Sequence, residues 1–137
     1  MDYKNRPIKT LSHFVQKVDK VWGTETHIHN RDHCVKIMEL KPNHQVSMHY
    51  HSNKEETFIL YSGRLIIETI NKLGYKDITE LTKPLESFTL LRNVSHTFYC
   101  PDDQDYETIF IEASTQDSPD DSYRIYPSKK RQPINNR

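Results

Sequence analysis

The sequence predicts an all-β domain, a sandwich or barrel of short strands, and three observations predict it. Runs rich in β-branched and aromatic residues recur along the chain, clusters of turn residues separate them, and no long segment carries an apolar period of about 3.6 residues. The separators are Lys41-Pro42-Asn43, Ser62-Gly63, Asn71-Lys72-Leu73-Gly74 and Pro101-Asp102-Asp103-Gln104-Asp105. At 137 residues the chain is long enough for one core and too short for two.

Taken in order, the pattern predicts strands over 33–40, 46–51, 56–61, 64–70, 75–81, 87–91, 96–100 and 108–112, with a further pair between 21 and 29. The one helix the pattern allows is short and falls at 10–18. Polar composition makes 1–20 an N-terminal arm and leaves 21–125 as the folded domain. Residues 126–137, with Lys129-Lys130-Arg131 set between prolines, read as a flexible basic tail, or else as a strand given to a dimer partner.

Charge excludes more than it suggests. Nineteen basic and nineteen acidic residues cancel, so no broad field favours nucleic acid or an anionic membrane as a partner. No apolar run approaches bilayer length and the first residues carry no apolar signal region, which makes a cytoplasmic location the expectation. Cys34 and Cys100 are too few and too far apart for a disulfide framework or a Cys-x-x-Cys site, and read as buried thiols on strands. Alternation from His96 through Phe98 to Cys100 would put that second thiol in the wall below any site at His96.

The chemistry concentrates between Asn43 and Gly63. Side chains two apart on a strand share a face, so His49 and His51 can aim two imidazoles at one point. Glu56 follows at the head of Thr57-Phe58-Ile59-Leu60-Tyr61, and Ser62-Gly63 turns the chain into the next strand. This arrangement of His-x-His, Glu and Gly resembles the first motif of the cupin superfamily, and Glu86 to His96 resembles the second, which supplies one more histidine. Asn43, Leu91 and Asn93 stand where the family has Gly, Pro and Gly; asparagine tolerates left-handed backbone best among the other residues, so the two Asn exchanges preserve the turns. The resemblance covers residues 33–113 and implies a double-stranded β-helix (cupin, jelly-roll-like barrel) that forms a homodimer. It also implies one divalent metal ion per chain, held by His49, His51, Glu56 and His96. Three imidazoles and a carboxylate suit several first-row metals; zinc is the first expectation, with manganese, iron and nickel the alternatives.

His27-Ile28-His29 is a second His-x-His, preceded by Glu25 but followed by no acidic residue and glycine at the same spacing. Strict alternation would put Glu25, His27 and His29 on one polar face, a solvated or edge strand, with a place on a pocket rim as the alternative. His13, His33 and His44 have no partner at ligand spacing.

Three more fragments, Lys20-Val21-Trp22-Gly23, Val35 to Asn43 and Asp120 to Ile125, resemble the phosphomannose-isomerase-type cupins. The chain departs from that group at His49, where Gln is frequent, and at Val21, where Pro is. The resemblance implies a mannose-6-phosphate isomerase-like aldose–ketose isomerase acting on a sugar or sugar phosphate. Such an enzyme needs a Lewis acid, a proton-transferring base and cations for the phosphate. Lys36, Arg92 and Arg124 are the candidate cations. Glu39, Glu68 and Tyr61 are all available as the base, and alternation alone does not choose among them. A metal-dependent oxygenase, which an apolar pocket would favour, and a non-catalytic sugar-binding cupin are the competing readings. Trp22 is either a sugar platform or core.

Overall fold

A computed structural model describes residues 7–132. Two antiparallel sheets face each other. The first runs in the order β1 (Gln16–Lys20), β2 (Gly23–Asn30), β3 (His33–Leu40), β11 (Thr108–Thr115), β6 (Glu56–Ser62) and β9 (Ser87–Leu90). The second runs β12 (Tyr123–Tyr126), β5 (Met48–Tyr50), β10 (Ser95–Tyr99), β4 (His44–Gln45) and β13 (Lys129–Lys130). It is extended by β7 (Leu65–Ile70), which pairs with β10, and β8 (Lys76–Leu81), which pairs with β7. Neighbours far apart in sequence, such as β3 with β11 and β5 with β12, wind the chain into a jelly-roll-like barrel.

Alternation builds the interior. On β3, Cys34, Lys36, Met38 and Leu40 are buried, while Val35, Ile37 and Glu39 are only partly covered on the outer face. Phe58, Phe98 and Phe110 meet between the sheets with ring centroids 4.8–5.4 Å apart, and Trp22 packs edge-on against Phe98 at 6.3 Å. Aromatic burial of this kind stabilises by roughly 2–3 kcal/mol per side chain and fixes how the two sheets stack. Cys100 joins the same cluster, and its thiol donates to the Leu40 carbonyl.

The turns follow the residues that form them. Asn43 and Asn93 both adopt left-handed backbone, φ 61° and 67°, as the Gly-to-Asn exchanges require. Gly63 has φ 80°, and a Cβ there would stand 2.9 Å from Thr108 Oγ1. Leu85 also has positive φ, 74°, which no sequence signal announces; its amide is held by the Leu60 carbonyl.

Three expectations need correction. Residues 10–18 form no α-helix: a single 3-10 turn at Ser12–Phe14 leads into β1, which pairs along its whole length with β2, so part of the expected arm belongs to the sheet. Residues 126–132 are docked where a flexible tail was expected. β13 pairs with β4, Arg131 forms a two-pronged pair with Asp102 at 3.0 Å, and its guanidinium lies 3.8 Å over the Tyr99 ring. Composition missed both segments because they are held by backbone pairing and one cation, not by apolar side chains. Residues 133–137 and 1–6 lie outside the described residues. Finally, the strand expected over 46–51 shortens to β5, and β4 forms ahead of it at His44–Gln45.

Candidate metal centre

β5 and β10 bring the histidines together. His49 and His96 are direct cross-strand partners, and His51 follows two residues after His49 on the same inward side. The ring centroids are 4.5–5.7 Å apart, and one nitrogen from each ring lies within 4.8 Å of the others. All three side chains are buried.

The tautomers are fixed from behind. Nδ1 of His49 donates to the Ser47 carbonyl at 2.8 Å, that of His51 to the Asp121 carbonyl at 2.6 Å and that of His96 to the Val94 carbonyl at 2.9 Å. With Nδ1 carrying the proton, each Nε2 keeps a bare lone pair. The His96 Nε2 is buried without a hydrogen-bond partner, yet Glu56 Oε1 lies 2.9 Å from it, and the same oxygen is 3.8 Å from His51 Nε2. A carboxylate oxygen and an imidazole nitrogen at this distance share either a proton or a cation. That is the arrangement a divalent metal resolves, and these residues fit one.

Electrostatics favours the same state. Burial, then the neighbouring His96 and His51 rings, pushes the His49 pKa down to about 3, and burial also lowers that of His51. Burial works to raise the Glu56 carboxyl, but contact with His96 and Lys54 outweighs it and holds the group well below the usual carboxylate range. Neutral imidazoles and an ionised carboxylate are the ligand forms of these side chains.

His49 and His51 line a cavity of about 770 Å³, and His96 stands behind them against His49. One part of its lining is apolar, with Trp22, Met38, Val46 and Phe98; another carries Glu25, Lys36, Lys54, Glu56, Glu112 and Asp117. These charges interlock. Lys54 Nζ stands 3.1 Å from Glu56 Oε2, 3.1 Å from Glu112 Oε2 and 2.9 Å from Asp117 Oδ1, while Lys36 Nζ is 3.1 Å from Asp117 Oδ2. Burial and the nearby Glu56 push Glu112 up to about 7 against the pull of the lysines. Lys54 and Lys36 hold Asp117 down at about 2 although burial opposes them.

The candidates for phosphate binding separate. Lys36 lines the cavity but is buried among carboxylates. Arg124 lines it too; it sits across from His49 in the strand register, exposed and, among the described residues, without an ion pair. Arg92 is turned elsewhere: its Nε donates to the Asn53 carbonyl and it is not part of the cavity lining. None of the three candidate bases lines the cavity. Glu39 faces outward toward Lys17, Glu68 accepts from the Tyr99 hydroxyl at 2.6 Å, and Tyr61 is exposed.

The second His-x-His pair is split by a β-bulge. The register of β2 on β3 shifts between His27 and His29, so His27 lies opposite Lys36 and lines the cavity. His29 turns to the outer face and stacks on His33 at 4.5 Å. The sequence reasoning missed Lys54, Glu112, Asp117 and Asp121. For Glu112 the signal was weak: Thr108-Ile109-Phe110-Ile111-Glu112 places apolar residues on both faces, which hides the inward side.

No family model and no curated protein matches the chain. Solved structures do. The capsular polysaccharide assembling protein CapF from Staphylococcus aureus superposes with a TM-score of 0.70 at 20% identity, over 84% of this chain and 32% of that one. Oxalate decarboxylase from Bacillus subtilis, for which Mn(II) centres are described, superposes with a TM-score of 0.71 at 12% identity, over 82% of this chain and 30% of that one. The chain has the cupin fold. It spans about a third of the length of these neighbours. The likeness is of fold, and what this domain does rests on its own residues.

Proposed function

We propose that this cupin domain is a metal-dependent enzyme that moves a proton between neighbouring carbons of a sugar or sugar phosphate, as an aldose–ketose isomerase does. The observation that carries the reading is the composition of the cavity: metal-ligating nitrogens, a buried carboxyl poised near neutrality and an unpaired arginine border one space. A bound divalent ion would supply Lewis acidity next to a carbonyl oxygen. His49, His51 and His96, with Glu56, would hold it through atoms whose protonation is already set by Ser47, Asp121 and Val94.

Glu112 supports the proton-transfer step better than Glu39, Glu68 or Tyr61. It lines the cavity, and a pKa of about 7 suits a group that takes a proton from one carbon and returns it to the next. Arg124 is the group for an anionic end of the substrate, because Lys36 and Lys54 already face three carboxylates each. The oxygenase alternative called for an apolar pocket, and four carboxylates and three lysines in the lining do not favour it.

Thermal shift with hexose and pentose phosphates beside the unphosphorylated sugars tests the reading, because a ligand that prefers the folded state raises the melting temperature. A phosphorylated sugar should stabilise the metal-loaded protein. Arg124→Ala should weaken that ligand by about 1–2 kcal/mol, the scale of a charge-assisted hydrogen bond, and leave metal content intact. Silence toward every sugar, with a response to small carboxylates or aromatic compounds, would overturn it.

A further inference from the structure

Lys54 is a buried lysine inside the metal motif, two residues before Glu56, and no metal-binding role requires it there. An ammonium has three N–H donors, and Lys54 has three carboxylate partners at 2.9–3.1 Å: Glu56 Oε2, Glu112 Oε2 and Asp117 Oδ1. Two of its donors are hydrogen bonded, to Glu112 and Asp117, and the charge is shared with Glu56 Oε2 in an ion pair at 3.1 Å. Asp117 is itself fixed, with its other oxygen on Lys36 and its backbone exchanging two hydrogen bonds of 2.9–3.0 Å with the Asn30 side chain. A clamp runs from the end of β2 through Asp117 and Lys54 to one oxygen of Glu56.

The other oxygen of Glu56 is the one that faces the histidines, 2.9 Å from His96 Nε2 and 3.8 Å from His51 Nε2. We infer that Lys54 is a positioning residue for the metal centre: by holding Oε2 it leaves Glu56 a single oxygen, Oε1, to offer a metal ion. A carboxylate that binds through one oxygen occupies one coordination position fewer than one that binds through both. The clamp thus keeps a position available for a ligand entering from the cavity. Moving Oε2 away would leave a buried ammonium one carboxylate short, so the ion pair with Lys54 is what holds Oε2 in place.

The inference rests on the reading of this site as a metal centre, and infrared spectroscopy separates the two. The difference spectrum between Mn(II)-loaded and metal-free protein, with 13C-labelled glutamate, reports the splitting between the two carboxylate stretches. That splitting is wide for one-oxygen binding and narrow for two. The native protein should show the wide splitting. Lys54→Met should narrow it and Lys54→Arg, which keeps donors at the same place, should restore it. A native protein that loads Mn(II) with a narrow splitting overturns the role of Lys54 alone, whether or not Lys54→Met folds. So does a folded Lys54→Met variant that keeps the native splitting. A native protein that takes up no Mn(II) overturns the metal reading and this inference with it.

Discussion

Two pairs of histidines with the same spacing, His49/His51 and His27/His29, end in different surroundings, and the difference lies in the backbone between them. β5 carries His49 directly opposite His96, and His51 two residues on remains inward, with Nδ1 of both rings bonded to carbonyls. β2 bulges at Ile28, so His27 enters the cavity wall and His29 leaves it. A His-x-His spacing is thus a ligand pair only where the strand is regular and a third imidazole comes from its neighbour. His27 marks the intermediate case: its Nε2 is buried without a hydrogen-bond partner, 3.5 Å from Glu25, in the cavity but remote from any second ring nitrogen at ligand distance.

The largest expected effect breaks the comparison at its base. His96→Ala should lower Mn(II) or Zn(II) affinity by more than about 100-fold in calorimetric titration, since loss of an outer-shell partner alone commonly costs 10–100-fold. His29→Ala should leave affinity unchanged, and His27→Ala should spare it while altering ligand binding in the cavity. Equal losses from both pairs would contradict the assignment.

A smaller effect is expected at Asp121, which orients His51 from outside the ligand set. Its carboxylate accepts from the Ser52 amide and hydroxyl and from the Asn53 amide, and its carbonyl accepts from His51. Asp121→Ala should lower metal affinity by roughly 10-fold through a loosened Ser52–Asn53 turn. No counterpart of Asp121 braces His27 or His29 among the described residues.

The smallest is a pH effect. The Glu112 carboxyl is raised from 4.5 to about 7 in the folded metal-free chain, so its contribution to stability is complete below pH 4.5 and is lost as pH rises through 7. Glu112→Gln cannot ionise. Its melting temperature should therefore gain on that of the native chain as pH rises from 5 to 8, and a difference that stays flat or falls would remove the raised carboxyl from the account.

Much of this was legible in the sequence, and the boundary is physical. The expected strand over 33–40 coincides with β3, and Asn43 and Asn93 take the left-handed turns that their positions in the two motifs suggested. What alternation could not read were strands whose two faces look alike. β1 and β12 carry no buried side chains, and β11 carries apolar residues on both sides of Glu112. The bulge at Ile28 reverses a face without any Gly or Pro to announce it. Lys54 stayed hidden because a lysine between Asn53 and Glu55 reads as surface until three carboxylates are found around it.

The most direct measurement is a titration of the metal-free protein with Zn(II), followed through the imidazole 15N resonances. The ring nitrogens of His49, His51 and His96 should shift together and saturate at about one equivalent, Nε2 moving while Nδ1 keeps its proton, with His29 and His33 unmoved. Shifts confined to His27, His29 and His33, or no shift at one equivalent, would contradict the metal centre.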